Sequence, residues 1–197
     1  MASLRTEITR DDLMELSAWA EIRKEKRREL VEIKKDRRIE IGPVATAYFE
    51  CFDTMWWQVQ EMLYIEKGGE EQIADELAAY NPLIPKGAEL IATVMFEIDD
   101  EFRRRKFLSR LGGIEETMFL EFDGEIVPGR PEEDVDRTND AGKASSVQFV
   151  HFPFTEPQIQ NFRTRNAKVV IGFRHHEYSH MCVLPERVRE ALAKDFV

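Results

Sequence analysis

The stretch ELIATVMFEI, residues 89–98, sets the strictest limit on how this chain folds. Leu90, Ala92, Val94, Phe96 and Ile98 are wholly apolar, while the alternating set Ile91, Thr93, Met95 and Glu97 is mixed. A period of two puts the sets on opposite faces of a strand. Such a strand is covered on one face and partly covered on the other, so it belongs to a sheet with further elements packed against it.

The neighbouring segments alternate between helical and strand periods. Thr9 with Asp12 resembles a capping box and starts a short helix carrying Leu13 and Leu16. A second helix is expected from about Trp19 to Arg38, with Trp19, Ile22, Leu30 and Ile33 as its apolar positions. Its middle, RKEKRRE at residues 23–29, has nothing to bury and must be solvated or docked on a partner. VATAYFECF, residues 44–52, reads as a strand entered through Gly42-Pro43. A helix follows, capped by Asp53 or Thr54, with Trp56, Val59 and Leu63 on one stripe and Gly68-Gly69 as its stop.

Further helices are expected over 70–80 and 99–113, and strands over 117–122, 146–154, 168–173 and 181–184. Thr155 and Gln158, with Pro157, begin a short helix, and Pro185 opens the C-terminal one. Residues 123–145 are rich in Gly, Pro and charged residues and read as a long surface loop. Several connections are too short for parallel crossovers. The expectation is a single α+β domain over residues 1–197, with a mixed, mainly antiparallel sheet, an N-terminal helical segment over 1–40 and a C-terminal helix.

Charged residues make up 34% of the chain and its net charge is −10, which works against binding to nucleic acid phosphates or anionic lipid. No apolar run has signal-peptide or membrane-spanning length, so no membrane association and a cytoplasmic location are expected. Cys51 and Cys182 lie far apart among apolar residues, which suits buried thiols in a reducing compartment.

The segment RHHEYSH, residues 174–180, concentrates ionisable groups. Extended, it turns His176, Tyr178, His180 and Cys182 to one side; helical, it puts His176 and His180 on one face. Either geometry offers two metal ligands, and zinc needs three or four from the protein. His151, Cys51 or a distant carboxylate would have to complete the set. His176 with Tyr178 is also competent for proton transfer near neutral pH. A polar turn between strands is the commoner outcome for such a segment.

The basic run over residues 23–38 is interleaved with Glu25, Glu29 and Glu32, which pair with its cations and make a self-satisfied solvated helix. Nucleic acid is therefore not an expected partner. DAGKASS, residues 140–146, lacks the upstream glycine and the Lys-Ser/Thr pair of a nucleotide loop, although Arg137, Lys143 and Ser145 can hold a small anion. Trp57, Glu61 and Tyr64 form a second stripe on the helix of Trp56, which implies burial on both sides or a partner surface. Glu97, Glu115 and Glu121 lie on or beside strands, where carboxylates usually face water.

Taken together, RRIEIGP, QVQEMLYIE, AYNPLIPKG, LIATVMFEI, RLGGIE and SSVQFVHFPF resemble the bacterial domain of unknown function 3501 family over nearly the whole chain. The resemblance supplies no established activity. It implies an accessory or binding protein near redox or peroxide-stress metabolism, beside rubrerythrin-like and iron–sulfur proteins, working through a protein partner and capable of forming a homo-oligomer. The rival expectation is a metal-binding protein or metal-dependent enzyme using His176 and His180.

Overall fold

The computed structural model describes residues 4–132, 143–164 and 167–197. After a single 3-10 turn at Arg10–Asp12, closed by the Thr9–Asp12 box, helix α1 runs over Leu16–Lys35. It leads into β1 (Arg38–Ile41) and β2 (Ala45–Phe49), then helices α2 (Phe52–Glu66) and α3 (Gly69–Tyr80). Next come β3 (Glu89–Phe96), α4 (Glu101–Leu108), β4 (Met118–Phe122), β5 (Glu125–Pro128) and β6 (Arg130–Pro131). The chain continues through β7 (Val147–Pro153), α5 (Glu156–Arg163), β8 (Val170–Phe173), β9 (Met181–Val183) and α6 (Glu186–Leu192).

The α+β architecture is present, and its strands divide into two antiparallel sheets. One has the order β1-β2-β3-β7-β6 and the other β5-β4-β8-β9. Their apolar faces share one core: Leu90, Ala92, Val94 and Phe96 of β3 join Leu120 and Phe122 of β4 and Ile171 of β8 in a single buried cluster. Ile91 instead joins Val59 and Leu63 of α2 in a second cluster, so α2 is the partial cover on the mixed face of β3. The alternation within residues 89–98 thus sets the layering.

Two expectations need correction. The second helix stops at Lys35, short of Arg38, because RIEI reverts to period two with Ile39 and Ile41 buried. The span 123–145 is not one loop. Asp123 and Gly124 both take positive φ (50° and 76°), the conformation of a type I′ turn, and pair Phe122 with Glu125 to start β5. Short β6 follows, with Pro131 opposite Val150.

Candidate functional site

A cleft of about 1100 Å³ opens between the end of α1, the start of α2, Ile84-Pro85 and the C-terminal segment Ala191–Val197. Arg37 organises it. The residue follows α1 directly, and its side chain is withdrawn to 6% exposure. Nε donates to the Phe49 carbonyl and Nη2 to the Glu50 carbonyl, each at 3.0 Å, and Nη2 also forms an ion pair with Asp195. One guanidinium therefore ties the end of β2 to the C-terminal segment. Burial works against the charge of Arg37, but Asp195, together with Cys51 and Glu50, outweighs it and raises the guanidinium pKa above its ordinary value. Burial lifts the Asp195 carboxyl above the usual carboxylate range, and Arg37 offsets part of that rise.

Cys51 lies beside this pair as the N-cap of α2, in place of the expected Asp53 or Thr54. Its backbone is extended (φ −152°), its sulfur accepts from the Thr54 N–H, and the Thr54 hydroxyl accepts from the Cys51 N–H at 2.9 Å. The same hydroxyl donates to Glu50 at 2.5 Å, and Thr93 donates to the other Glu50 oxygen at 2.6 Å. Two hydroxyls thereby satisfy a buried carboxylate. Burial pushes the Cys51 thiol up, while Arg37 and the Thr54 N–H pull it the other way.

The rest of the lining carries both signs of charge. Glu32 pairs with Lys35, Asp36 with Arg187 and Arg5 with Asp12. Asp53, Arg163 and Lys194, all exposed, make no ion pair among the described residues and are the charges a ligand can meet, although Arg163 also donates to the Phe196 carbonyl.

The histidine-rich segment is a structural turn. An isolated bridge joins His175 to Tyr178. The Tyr178 ring is 2% exposed, and its hydroxyl donates to the Ile41 carbonyl at 2.6 Å while accepting from the Ala45 N–H at 3.1 Å. His180 lies on that ring, 4.5 Å between centroids, and against Gly42, where a Cβ would come within 2.5 Å of its ring. His175 is bonded to the Gly112 carbonyl at 3.2 Å, and the exposed His176 ring lies tilted against it, 4.4 Å between centroids.

His151 is remote from this turn. On β3, Ile91 faces His151 whereas Phe96 faces Ala45 beside the turn, a separation of about 17 Å along the strand. The His151 ring sits between Glu89 (Nδ1, 3.1 Å) and Glu132 (Nε2, 2.7 Å), so both nitrogens are engaged. Among the described residues, no group of three or more His, Cys, Asp or Glu is placed to hold a metal ion.

The stripe of Trp57, Glu61 and Tyr64 lies under α1. Trp19, fully buried, packs edge-on against Trp57 at 5.0 Å and donates its indole N–H to Glu61 at 2.9 Å. Arg23 binds the same carboxylate at 2.6 Å and lies over the Tyr64 ring. Burial on both sides of α2 accounts for these contacts, although Trp57 and Tyr64 stay half-exposed. Arg137 lies outside the described residues; Lys143 is half-buried just before Ala144, whose N–H donates to Leu108. Glu97 accepts from Thr46 at 2.6 Å and Tyr48 at 3.0 Å. The pairing of Arg37 with Asp195 across nearly the whole chain carried no local signal, and neither did the Cys51 cap, since Cys-x-x-Thr is not the Ser/Thr-x-x-Glu/Gln pattern of a capping box.

A comparison with curated proteins finds no match. Among solved structures, the chain is similar to a novel protein of unknown function from Burkholderia pseudomallei, at 36% identity and a TM-score of 0.89 over 96% of this chain and 99% of that one. No helix among the described residues is long and apolar enough to cross a membrane. The family model for the protein of unknown function (DUF3501) matches residues 7–196, and the chain belongs to that family.

Proposed function

We propose that the chain is a ligand-binding protein whose site is the cleft at Arg37, and whose ligand is a small molecule carrying both an anionic and a cationic group. The observation that carries this reading is the Arg37–Asp195 pair on the cleft lining. Burying such a pair costs more desolvation than apolar packing would, which favours a role beyond stability. Lys194 and Asp53 supply the complementary charges at the rim, and Phe52, Ile84 and Phe196 the apolar body of a small-molecule site.

The physiological role we assign follows the family resemblance: a cytoplasmic accessory protein beside redox or peroxide-stress enzymes of the rubrerythrin-like and iron–sulfur kinds. The solvated middle of α1, where Lys24, Arg27 and Arg28 are exposed, is the surface we assign to the protein partner.

The test is a thermal-shift panel of free amino acids and dipeptides on the native chain and on Asp53→Asn with Lys194→Met. A ligand at a hundred times its Kd stabilises by about 2.7 kcal/mol. At least one compound should do so for the native chain and lose most of the effect in the double variant. A panel that shifts neither protein overturns the ligand reading, and affinity capture free of redox proteins overturns the assigned role.

A further inference from the structure

Helix α1 sorts its charges by side. At about 3.6 residues per turn, Lys24, Arg27, Arg28, Lys34 and Lys35 fall within one arc of about 120°, and Glu21, Glu25, Glu29 and Glu32 fall in the arc beside it. Buried Trp19 and Leu30 hold the third side. The mutual neutralisation expected from the sequence is only partial. Lys26 pairs with Glu29 and Lys35 with Glu32, while Lys24, Arg27, Arg28 and Lys34 make no ion pair among the described residues.

This sorting works against the helix itself. It sets like charges four residues apart, Lys24 with Arg28, Glu21 with Glu25 and Glu25 with Glu29, and such pairs destabilise a helix. A face built only for water gains nothing from that arrangement. Val31, 50% exposed, lies on the midline of the basic stripe. Toward the end of α1 the stripe opens into a hollow of about 490 Å³, where Arg38 of β1 and Arg187 of α6 join Lys34 and Lys35. Arg38 and Arg187 are paired only at the surface, each at 3.1 Å, with Glu40 and Asp36, in weak contacts that an incoming anion can replace.

We infer that this stripe is the docking surface for an acidic peptide segment of a partner protein, one that places carboxylates on both sides of a single apolar residue seated on Val31. The inference deepens the assignment of α1 to a protein partner and rests on it. Two features select a peptide over a phosphate polyanion. The stripe runs roughly 16 Å from Lys24 to Lys35 but is only one helix face wide. A nucleic acid duplex or a lipid surface laid on it would also meet Glu21 and Glu32 at its edge, and the net charge of −10 behind them. Val31 offers a contact that a phosphate cannot use, whereas an acidic motif bound by a cation cluster carries side chains between its charges.

The experiment measures fluorescence anisotropy of a labelled peptide of Glu and Asp around a central Leu, with random duplex DNA and phosphatidylglycerol vesicles as competitors. The full chain should bind the peptide, more weakly as salt rises. Lys24→Gln with Arg27→Gln and Arg28→Gln should weaken binding about tenfold. All three positions are exposed and glutamine is a good helix former, so the fold persists, which circular dichroism checks. Val31→Ser should weaken binding about threefold, and only for the peptide that carries Leu rather than Ser at its centre. Glu21→Gln with Glu25→Gln should bind at least as tightly as the native chain.

No binding at low salt, no loss in the triple variant, or a tighter hold on DNA or vesicles than on the peptide overturns the inference. Affinity capture with the native chain and the triple variant separates it from the partner reading. A redox protein held by the native chain and lost by the triple variant, with no peptide binding, removes the acidic segment and leaves α1 as the partner surface. A redox protein held equally by both removes α1 from partner recognition and the inference with it. Peptide binding that follows the pattern above, with no redox protein captured, leaves the inference standing and overturns the assigned role.

Discussion

The Tyr178 hydroxyl donates to the Ile41 carbonyl across 137 residues of sequence, which clamps the histidine-rich turn onto the hairpin between β1 and β2. Removing the hydroxyl leaves the Ile41 carbonyl and the Ala45 N–H without their partner in a buried place. Tyr178→Phe should therefore lower stability by about 1–3 kcal/mol. Urea unfolding monitored by tryptophan fluorescence reads this directly, and an unchanged midpoint would show that the clamp is dispensable.

Arg37 and Asp195 make a second long-range tie, and its two halves are not equivalent when broken. Arg37→Met strands a buried carboxylate and should cost about 3–5 kcal/mol, whereas Arg37→Met with Asp195→Leu should recover a large part of that loss. A double-mutant cycle by chemical denaturation measures the difference. Simple additivity of the two single losses would mean that the residues do not act as a pair.

His151 gives the fold a pH dependence whose sign follows from its partners. Burial alone would lower the pKa of the imidazole, but hydrogen bonds to Glu89 and Glu132 outweigh it and raise the value above the ordinary one. Protonated His151 can donate to both carboxylates at once. Its stabilising contribution is fully present below the unfolded histidine pKa of about 6.5 and is lost as pH rises through the folded value. The stability gap between the native chain and His151→Gln should shrink over that window. An NMR titration placing the His151 pKa at or below the unfolded value would reverse the argument.

Trp57 is held edge-on by Trp19, and Tyr64 lies under Arg23. Trp57→Ala should lower stability by about 2–4 kcal/mol through lost area and the lost aromatic pair. Tyr64→Ala, which removes a half-exposed cation–π contact, should cost about 1 kcal/mol or less. Equal and negligible effects from both would return this face of α2 to the role of a partner surface.

The legible parts of the fold were those written in a local period. Leu90, Ala92, Val94 and Phe96 against Ile91 gave both the strand and its two kinds of cover, because side-chain alternation is a property of adjacent residues. The four residues of β1 were hidden because RIEI abuts a helix whose apolar spacing runs up to Ile33. β5 was lost inside a polar stretch, although Asp123-Gly124 after a strand is a hairpin signal in its own right. The histidine cluster drew attention through composition, yet composition does not say that Tyr178 points inward while His176 points out. Of the cleft, the start of α2 was legible but its cap was not, because cysteine is not a preferred N-cap and Asp53 and Thr54 offered themselves instead, and the meeting of residues 37 and 195 depends on the whole topology.

The Asp123-Gly124 turn has a further consequence. It joins β4 to β5 with only those residues between paired Phe122 and Glu125, so it sets the phase of everything downstream in β5. Inserting or removing one residue there would rotate Val127, now fully buried, to the solvent side and bring exposed Ile126 toward the interior. Substitutions at this bend that tolerate positive φ leave that phase alone. Length, more than chemical identity, is what natural variation has least freedom to alter at this point.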